Sequence, residues 1–167
     1  IQDFVDVEAD LNNSIFVNFD KTYKVKDFSF KNNGKILKAN LKFKKPKTNF
    51  LSEKNISKLS LIDSNVISNF NSKNNNIVVS GEYSINNEDF LSYKLNNKLE
   101  KNILNLALDI EYNQPFNIDI INYRKTKDSI VDLSMSLVKK KDTIKIKKFH
   151  LNEKNNSIYI KDLKLNK

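Results

Sequence analysis

Alternation of apolar and polar residues is the dominant pattern along this chain. One stretch carries Leu104, Leu106, Leu108 and Ile110 at every second position, and a later one carries Val131, Leu133, Met135 and Leu137. Successive side chains of a strand point to opposite faces, so each stretch predicts a strand with one apolar and one polar face. Many such stretches, separated by polar turn residues, predict an all-β fold built mainly as an antiparallel meander.

Three stretches share an eight-residue pattern of apolar, any, apolar, two polar, apolar, any, apolar residues. They are Tyr23–Phe30, Ile144–Leu151 and Ile158–Leu165, and Ile56–Leu61 is a partial copy. Strict alternation would divide the apolar residues of each stretch between two faces. One extra residue absorbed at the central polar pair, as in a β-bulge, would return them all to one face. We therefore predict a bulged strand used three times, with two short strands joined by a kink as the alternative.

Turn signals divide the rest of the chain. Asn12–Ser14 predicts a turn, and Asn32–Gly34 predicts a tight hairpin because Asn-Gly supplies two residues of positive φ. The alternation lapses over residues 44–55, which predicts a loop. Asn87–Leu99 fits a helix or a strand, and we favour the strand. Phe116–Ile120 is predicted as one more strand of the meander.

Composition narrows the possible functions. The 167 residues, which fit one domain, carry a net charge of +9, with 27 Asn, 28 Lys and a single Arg, Arg124. Specific nucleic-acid sites rely on Arg for bidentate base contacts, so we do not expect a nucleic-acid partner. The absence of Cys excludes disulfides, thiolate nucleophiles and Cys-based zinc sites. Because the chain starts at Ile1 rather than Met, we expect it to be a single β-repeat segment of a larger protein.

Candidate catalytic groups are few. His150 is the only histidine and is predicted to point outward from a repeat, without companions for a metal site. Asp109 and Glu111 share a strand face, as pairs on the polar side of an exposed sheet routinely do. The acidic run at residues 6–10 lacks the Gly-containing loop of a calcium site. We therefore expect no enzyme activity, no metal and no cofactor.

The apolar strand faces need a cover, and long helices that could supply it are not predicted. Two sheets could stack as a sandwich, the sheet could close into a transmembrane barrel, or it could curl into an elongated groove covered by something else. Acyl chains suit the groove: at roughly 0.8 kcal/mol per buried methylene, a chain of about sixteen carbons gains on the order of 10 kcal/mol before binding costs. Repetition of one bulged strand favours the groove. The predicted lipid-contacting residues are Leu104, Leu106, Leu108, Ile110, Val131, Leu133, Met135, Leu137, Ile144, Ile146, Ile158 and Ile160.

The ending Ile158–Leu165, with its earlier copies, resembles the repeated strand of the AsmA-like superfamily. Ile77–Lys167, which includes Ile121–Lys125, resembles the YhdP branch of that family. The resemblance implies an elongated, curled β-taco-like groove in a periplasmic protein attached to the bacterial inner membrane through a segment outside this sequence. It implies phospholipid acyl chains as partners, transport between the inner and outer membranes, and no catalytic residue. The alternative is a structural or adhesive β-sandwich module without a small-molecule ligand.

Overall fold

The computed structural model describes residues 2–47, 55–118, 122–126 and 129–166, and the side chains of all of these except residues 2–5, 47, 165 and 166. Eleven strands lie within this part of the chain. They are β1 (Gln2–Phe19), β2 (Val25–Lys47), β3 (Ile56–Asn71), β4 (Asn74–Ile85), β5 (Leu91–Glu100), β6 (Ile103–Tyr112), β7 (Phe116–Ile118), β8 (Tyr123–Lys125), β9 (Val131–Lys140), β10 (Thr143–Glu153) and β11 (Asn156–Asn166).

Nine of these strands form one antiparallel sheet in the order β1-β2-β3-β4-β5-β6-β9-β10-β11. The other two, β7 and β8, pair with each other as a separate hairpin. β1 and β11 are the two edges of the large sheet, which is not closed into a barrel. The predicted all-β meander is therefore confirmed, and a single continuous sheet takes the place of the two packed sheets of a sandwich. No helix in the described ranges is long and apolar enough to cross a membrane.

The predicted bulge is present in all three repeats. In β10 the register with β9 passes from Ile146 directly to Lys148, so Lys147 is the extra residue. In β11 the register with β10 skips Asp162, whose φ of 57° lies in the left-handed region. In β2 the register with β1 skips Lys26. Each bulge returns the apolar strand residues on its two sides to the same face of the sheet. The first repeat is shorter than predicted, because Tyr23 lies in the turn before β2 and not in a strand.

Two predicted turns are wrong, because β1 and β2 run straight through them. Asn13 and Asn32, which the sequence placed in turns, face each other across the two strands, and the Asn32 side-chain amide donates to Asn13 Oδ1 at 2.6 Å. The hairpin instead forms at Asp20–Lys24, where the Asp20 carboxylate accepts hydrogen bonds from the Thr22 and Lys24 amides. The Asn32 amide group, which could have hydrogen-bonded within a turn, pairs instead with a side chain of the neighbouring strand.

The other strand boundaries lie closer to their predicted positions. β2 extends to Lys47, into the predicted loop over 44–55, and residues 48–54 of that loop lie outside the described part of the chain. Asn87–Leu99 contains most of β5, so the favoured strand is confirmed. The turn before β5 has Asn86 and Asn87 at positive φ, and the turn before β6 has Lys101 and Asn102. Asn tolerates this conformation better than most residues other than Gly.

Candidate functional site

All twelve predicted lipid-contacting residues lie on one face of the sheet. Leu106 pairs with Leu137, which pairs with Ile146, and the same register continues through the other predicted positions of β6, β9, β10 and β11. We call this side the apolar face. The structure therefore brings together every residue that alternation and the bulge had selected.

One row of this face is apolar without interruption over seven strands. Its members are paired in turn from β3 to β11 and are Val66, Val79, Leu95, Leu108, Met135, Phe149 and Ile160. We call it the central row. At the usual strand spacing of about 4.8 Å it spans roughly 29 Å. Its side chains are half-buried, except that Ile160 is exposed.

The chain itself covers the apolar face at one end of the strands. The β7–β8 hairpin packs there against a buried cluster of Tyr112, Phe116, Val131 and Leu151. Phe116 contacts Tyr112 and Tyr123 with ring centroids 5.7 and 5.8 Å apart. We call β7–β8 and this cluster the cap. The prediction that Phe116–Ile120 extends the meander is wrong for Phe116–Ile118, because these residues lie over the sheet instead of in it.

The twelve predicted residues consequently divide into two environments. Val131 is completely buried beneath the cap, and Leu133 is 4% exposed. Leu104, Leu106, Leu108, Ile110, Met135, Leu137, Ile144, Ile146 and Ile158 are half-buried, and Ile160 is 38% exposed. Ordinary core packing therefore accounts for Val131 and Leu133, whereas the other ten positions stay partly open.

Polar contacts anchor the cap to the sheet. Lys125 is fully buried, and its ammonium donates to the carbonyl oxygens of Asn113 at 2.8 Å, Thr126 at 2.7 Å and Ser129. The Glu153 carboxylate on β10 accepts hydrogen bonds from the Ser129 hydroxyl and, at 2.6 Å, from the Tyr123 hydroxyl. These two donors hold the pKa of Glu153 below its ordinary value. Burial, followed by the contact with Glu153, raises the pKa of Tyr123.

Two tyrosines lie across neighbouring strands on the apolar face. The Tyr93 hydroxyl reaches Ser64 Oγ on β3 at 2.9 Å, and it passes Gly81, which pairs with Tyr93 and has no side chain. Tyr83 donates to the Glu111 carbonyl at 2.7 Å. Burial raises the pKa of both phenols. Their hydroxyl groups therefore stay neutral and supply fixed hydrogen bonds within an apolar surface.

The apolar face also contains amide and hydroxyl side chains that were not among the predicted lipid-contacting residues. Asn13, Asn32, Ser68 and Asn97 lie in the row next to the central row. The side-chain oxygens of Asn32 and Asn97 are buried without a hydrogen-bond partner. These polar side chains interrupt the apolar surface beside the central row. The alternation of Leu91, Tyr93 and Leu95 places Asn97 on this face, whereas Asn32 was assigned to a turn.

The opposite face is polar and carries open hollows. One of about 560 Å³ is lined mainly by amides and lysines, among them Asn69, Asn71, Asn74, Asn76, Asn96, Lys98, Asn105 and Lys147.

His150 lies on this polar face as predicted, half-buried, with Nε2 at 3.0 Å from Ser157 Oγ. Glu111 accepts a hydrogen bond from the Ser92 amide at 2.9 Å, which lowers its pKa. Within the described residues no group of three or more acidic, His or Cys side chains is arranged to hold a metal ion.

Comparison with known proteins identifies no relative: no family model, curated protein or solved structure matches this chain.

Proposed function

We propose that this chain is a segment of an intermembrane phospholipid-transport protein and that its apolar face holds acyl chains passively. The observation that carries this proposal is the central row, an unbroken apolar track over seven strands of a single sheet. In the described part of the chain only eight hydrophobic residues are buried, whereas seventeen large hydrophobic residues are exposed. Such a sheet gains free energy when another apolar molecule covers it.

The dimensions of the central row suit an acyl chain. A bilayer hydrocarbon core is about 30 Å thick, so the acyl chains of one leaflet extend over roughly 15 Å. The central row spans roughly 29 Å and can therefore contact an extended acyl chain along its whole length. Leu108, Met135 and their neighbours would bury the methylenes, and the headgroup would remain in water at the edge of the sheet. Because the contacts are non-directional, the chain can slide along the row without breaking hydrogen bonds.

Mass spectrometry of organic extracts of the purified protein tests the proposal. We expect co-purified phospholipid with the wild type. The double variant Leu108→Asp with Met135→Asp places two carboxylates on the central row and should lose the lipid. Ala107→Asp with Ser136→Asp changes the adjacent cross-strand pair on the opposite face and is the matched control, which should retain it. A wild-type protein without lipid, or a folded L108D/M135D protein that carries as much lipid as the control, would contradict the proposal.

A structural module without a ligand is the second candidate, and the cap is the observation that favours it. Tyr112, Val131 and Leu151 form a dry cluster covered entirely by the chain itself. If further protein covers the central row in the same way, lipid is not needed. The extraction experiment separates the two candidate functions. Acyl-chain binding predicts phospholipid that is retained in A107D/S136D and lost in L108D/M135D, whereas a structural module predicts no such difference.

A further inference from the structure

Charge is unequally distributed between the two ends of the strands. The turns β1–β2, β3–β4, β5–β6 and β9–β10 all lie at the end opposite the cap. These turns and the three residues on either side of each hold ten lysines and four carboxylates, an excess of six positive charges. We call this the lysine end, and its lysines are Lys21, Lys24, Lys26, Lys73, Lys98, Lys101, Lys139, Lys140, Lys141 and Lys145. All ten are exposed. Glu88, Asp89, Glu111 and Asp132, in contrast, lie towards the capped end.

Two of the carboxylates at the lysine end are held by neutral donors. Asp20 accepts hydrogen bonds from the Thr22 hydroxyl at 2.7 Å and from two backbone amides. Asp27 accepts one from the Ser72 hydroxyl at 2.7 Å, which links the first residues of β2 to the β3–β4 turn. Lys98 pairs with Glu100, and Lys145 pairs with Asp162. Asp20 and Asp27 keep their negative charges, so what the lysine end offers to an outside anion is its excess of six positive charges.

An open hollow bordered by four lysines lies at the same end. It has a volume of about 480 Å³ and is lined by Lys101, Lys140, Lys145 and Lys147 together with Glu100, Ile103, Asn105, Val138 and Thr143. Lys145 is paired with Asp162, so three of the four lysines carry the argument for an outside anion. Ammonium groups around an open hollow suit phosphate, which they bind as point charges.

Large apolar side chains accompany these lysines at the β1–β2 turn. Tyr23 is 89% exposed at the tip and adopts a φ of 58°, and Phe19 and Val25 beside it are more than half exposed. The Asp20 hydrogen bonds fix this tip, so the projection of Tyr23 is part of the folded structure. Tyr is enriched where proteins meet the bilayer interface, and lysines extend their ammonium groups towards headgroups. Soluble polyanions alone would need the lysines but not the exposed apolar tip.

We propose that the lysine end docks on an anionic lipid surface, with lipid phosphates among the lysines and Tyr23 in the interface. A lysine close to an anionic bilayer contributes about 1 kcal/mol, and exposed aromatic residues add apolar burial. This docking does not depend on acyl-chain binding by the apolar face. Either proposal can therefore fail without the other.

Vesicle sedimentation tests the charge contribution. We expect binding to vesicles of phosphatidylcholine mixed with phosphatidylglycerol and little binding to phosphatidylcholine alone. Replacing Lys21, Lys24, Lys140 and Lys141 with Gln should weaken binding on the order of a thousandfold, at about 1 kcal/mol for each lysine. Replacing Lys31, Lys42, Lys94 and Lys154 with Gln removes the same charge from exposed positions elsewhere and should weaken binding much less. Equal losses in the two variants would overturn the proposal.

Fluorescence tests the apolar tip and separates the membrane from other polyanions. The chain has no Trp, so Tyr23→Trp and the control Tyr159→Trp each introduce a single reporter at an exposed tyrosine. Anionic vesicles should shift the emission of Y23W to shorter wavelength and leave that of Y159W unchanged. A shift in both variants or in neither would overturn the proposal. Duplex DNA or inorganic phosphate, added at low concentration and physiological salt, should not displace the protein from vesicles. Displacement would also overturn the proposal, because it would identify a general polyanion site.

Discussion

The cap and the central row contain the same kinds of side chain on the same face of one sheet, but they differ in what covers them. At the cap, the β7–β8 hairpin encloses Val131 and Leu151 completely. Along the central row, Leu108 and Met135 remain half-buried, and Ile160 at the edge is 38% exposed. Binary patterning therefore defines an apolar face but not its cover. The cap shows that this sheet packs tightly wherever the chain provides a second layer.

Truncation of a capped residue should have the largest effect on stability. Leu151→Ala removes a completely buried side chain and leaves a cavity under the cap, so we expect a loss of about 2–5 kcal/mol in the free energy of unfolding. Leu108→Ala in the central row should cost roughly 1 kcal/mol, because the side chain is already partly exposed. Urea denaturation monitored by circular dichroism measures both. Equal losses would mean that the central row is as well packed as the cap.

Removal of the buried ammonium should have the next largest effect. Lys125→Met preserves the shape of the side chain but leaves the carbonyl oxygens of Asn113, Thr126 and Ser129 without that donor. We expect a loss of about 1–3 kcal/mol in the free energy of unfolding. Lys94→Met changes an exposed lysine and should alter stability by no more than about 0.5 kcal/mol. A K125M protein as stable as K94M would show that the ammonium does not anchor the cap.

Gly81 provides a test outside the cap. A Cβ at this position would lie 2.5 Å from the Cα of Ser64 and would also collide with the Ser64 hydroxyl that Tyr93 contacts. Gly81→Ala should therefore cost about 1–2 kcal/mol in thermal or urea unfolding through overpacking. Ser80→Ala, next to it on the opposite face, serves as the control. An unchanged G81A protein would contradict the close approach of β3 and β4 in this region.

Acid should loosen the cap to a smaller extent. The pKa of Glu153 is lower in the folded protein than the ordinary 4.5, because the Ser129 and Tyr123 hydroxyls donate to its carboxylate. A carboxyl group with a lowered folded pKa stabilises the fold above its unfolded pKa, and this contribution is lost as pH falls below about 4.5. Hydrogen exchange of the cap amides over this range measures the loss. We expect Glu153→Gln to reduce the pH dependence, and an identical pH profile for E153Q would argue against the contact.

The sequence correctly predicted the features that depend on the periodicity of apolar residues. Its predictions were wrong where contacts between strands decide the structure. Alternation placed all twelve predicted lipid-contacting residues on one face, and the eight-residue repeat located the bulges at Lys26, Lys147 and Asp162. Both predictions succeeded because each depends only on the order of residues within one strand. The predicted hairpin at Asn32–Gly34 was wrong because Asn32 forms a hydrogen bond with Asn13 and Gly34 lets β1 approach closely. Both are contacts with another strand, which the turn propensity of a short segment does not include. The cap was missed for a related reason. Phe116 and Ile118 alternate as any strand does, and only tertiary packing places them over the sheet.

Cysteine accessibility tests whether the apolar face outside the cap is open to a partner other than this chain. The protein has no Cys, so single variants Leu108→Cys and Val131→Cys each provide a unique reporter on the same face. We expect a water-soluble maleimide to label folded L108C much faster than V131C, and phospholipid to slow the labelling of L108C. Labelling of L108C as slow as that of V131C in protein stripped of lipid would contradict the account, because it would mean that the polypeptide itself seals the central row.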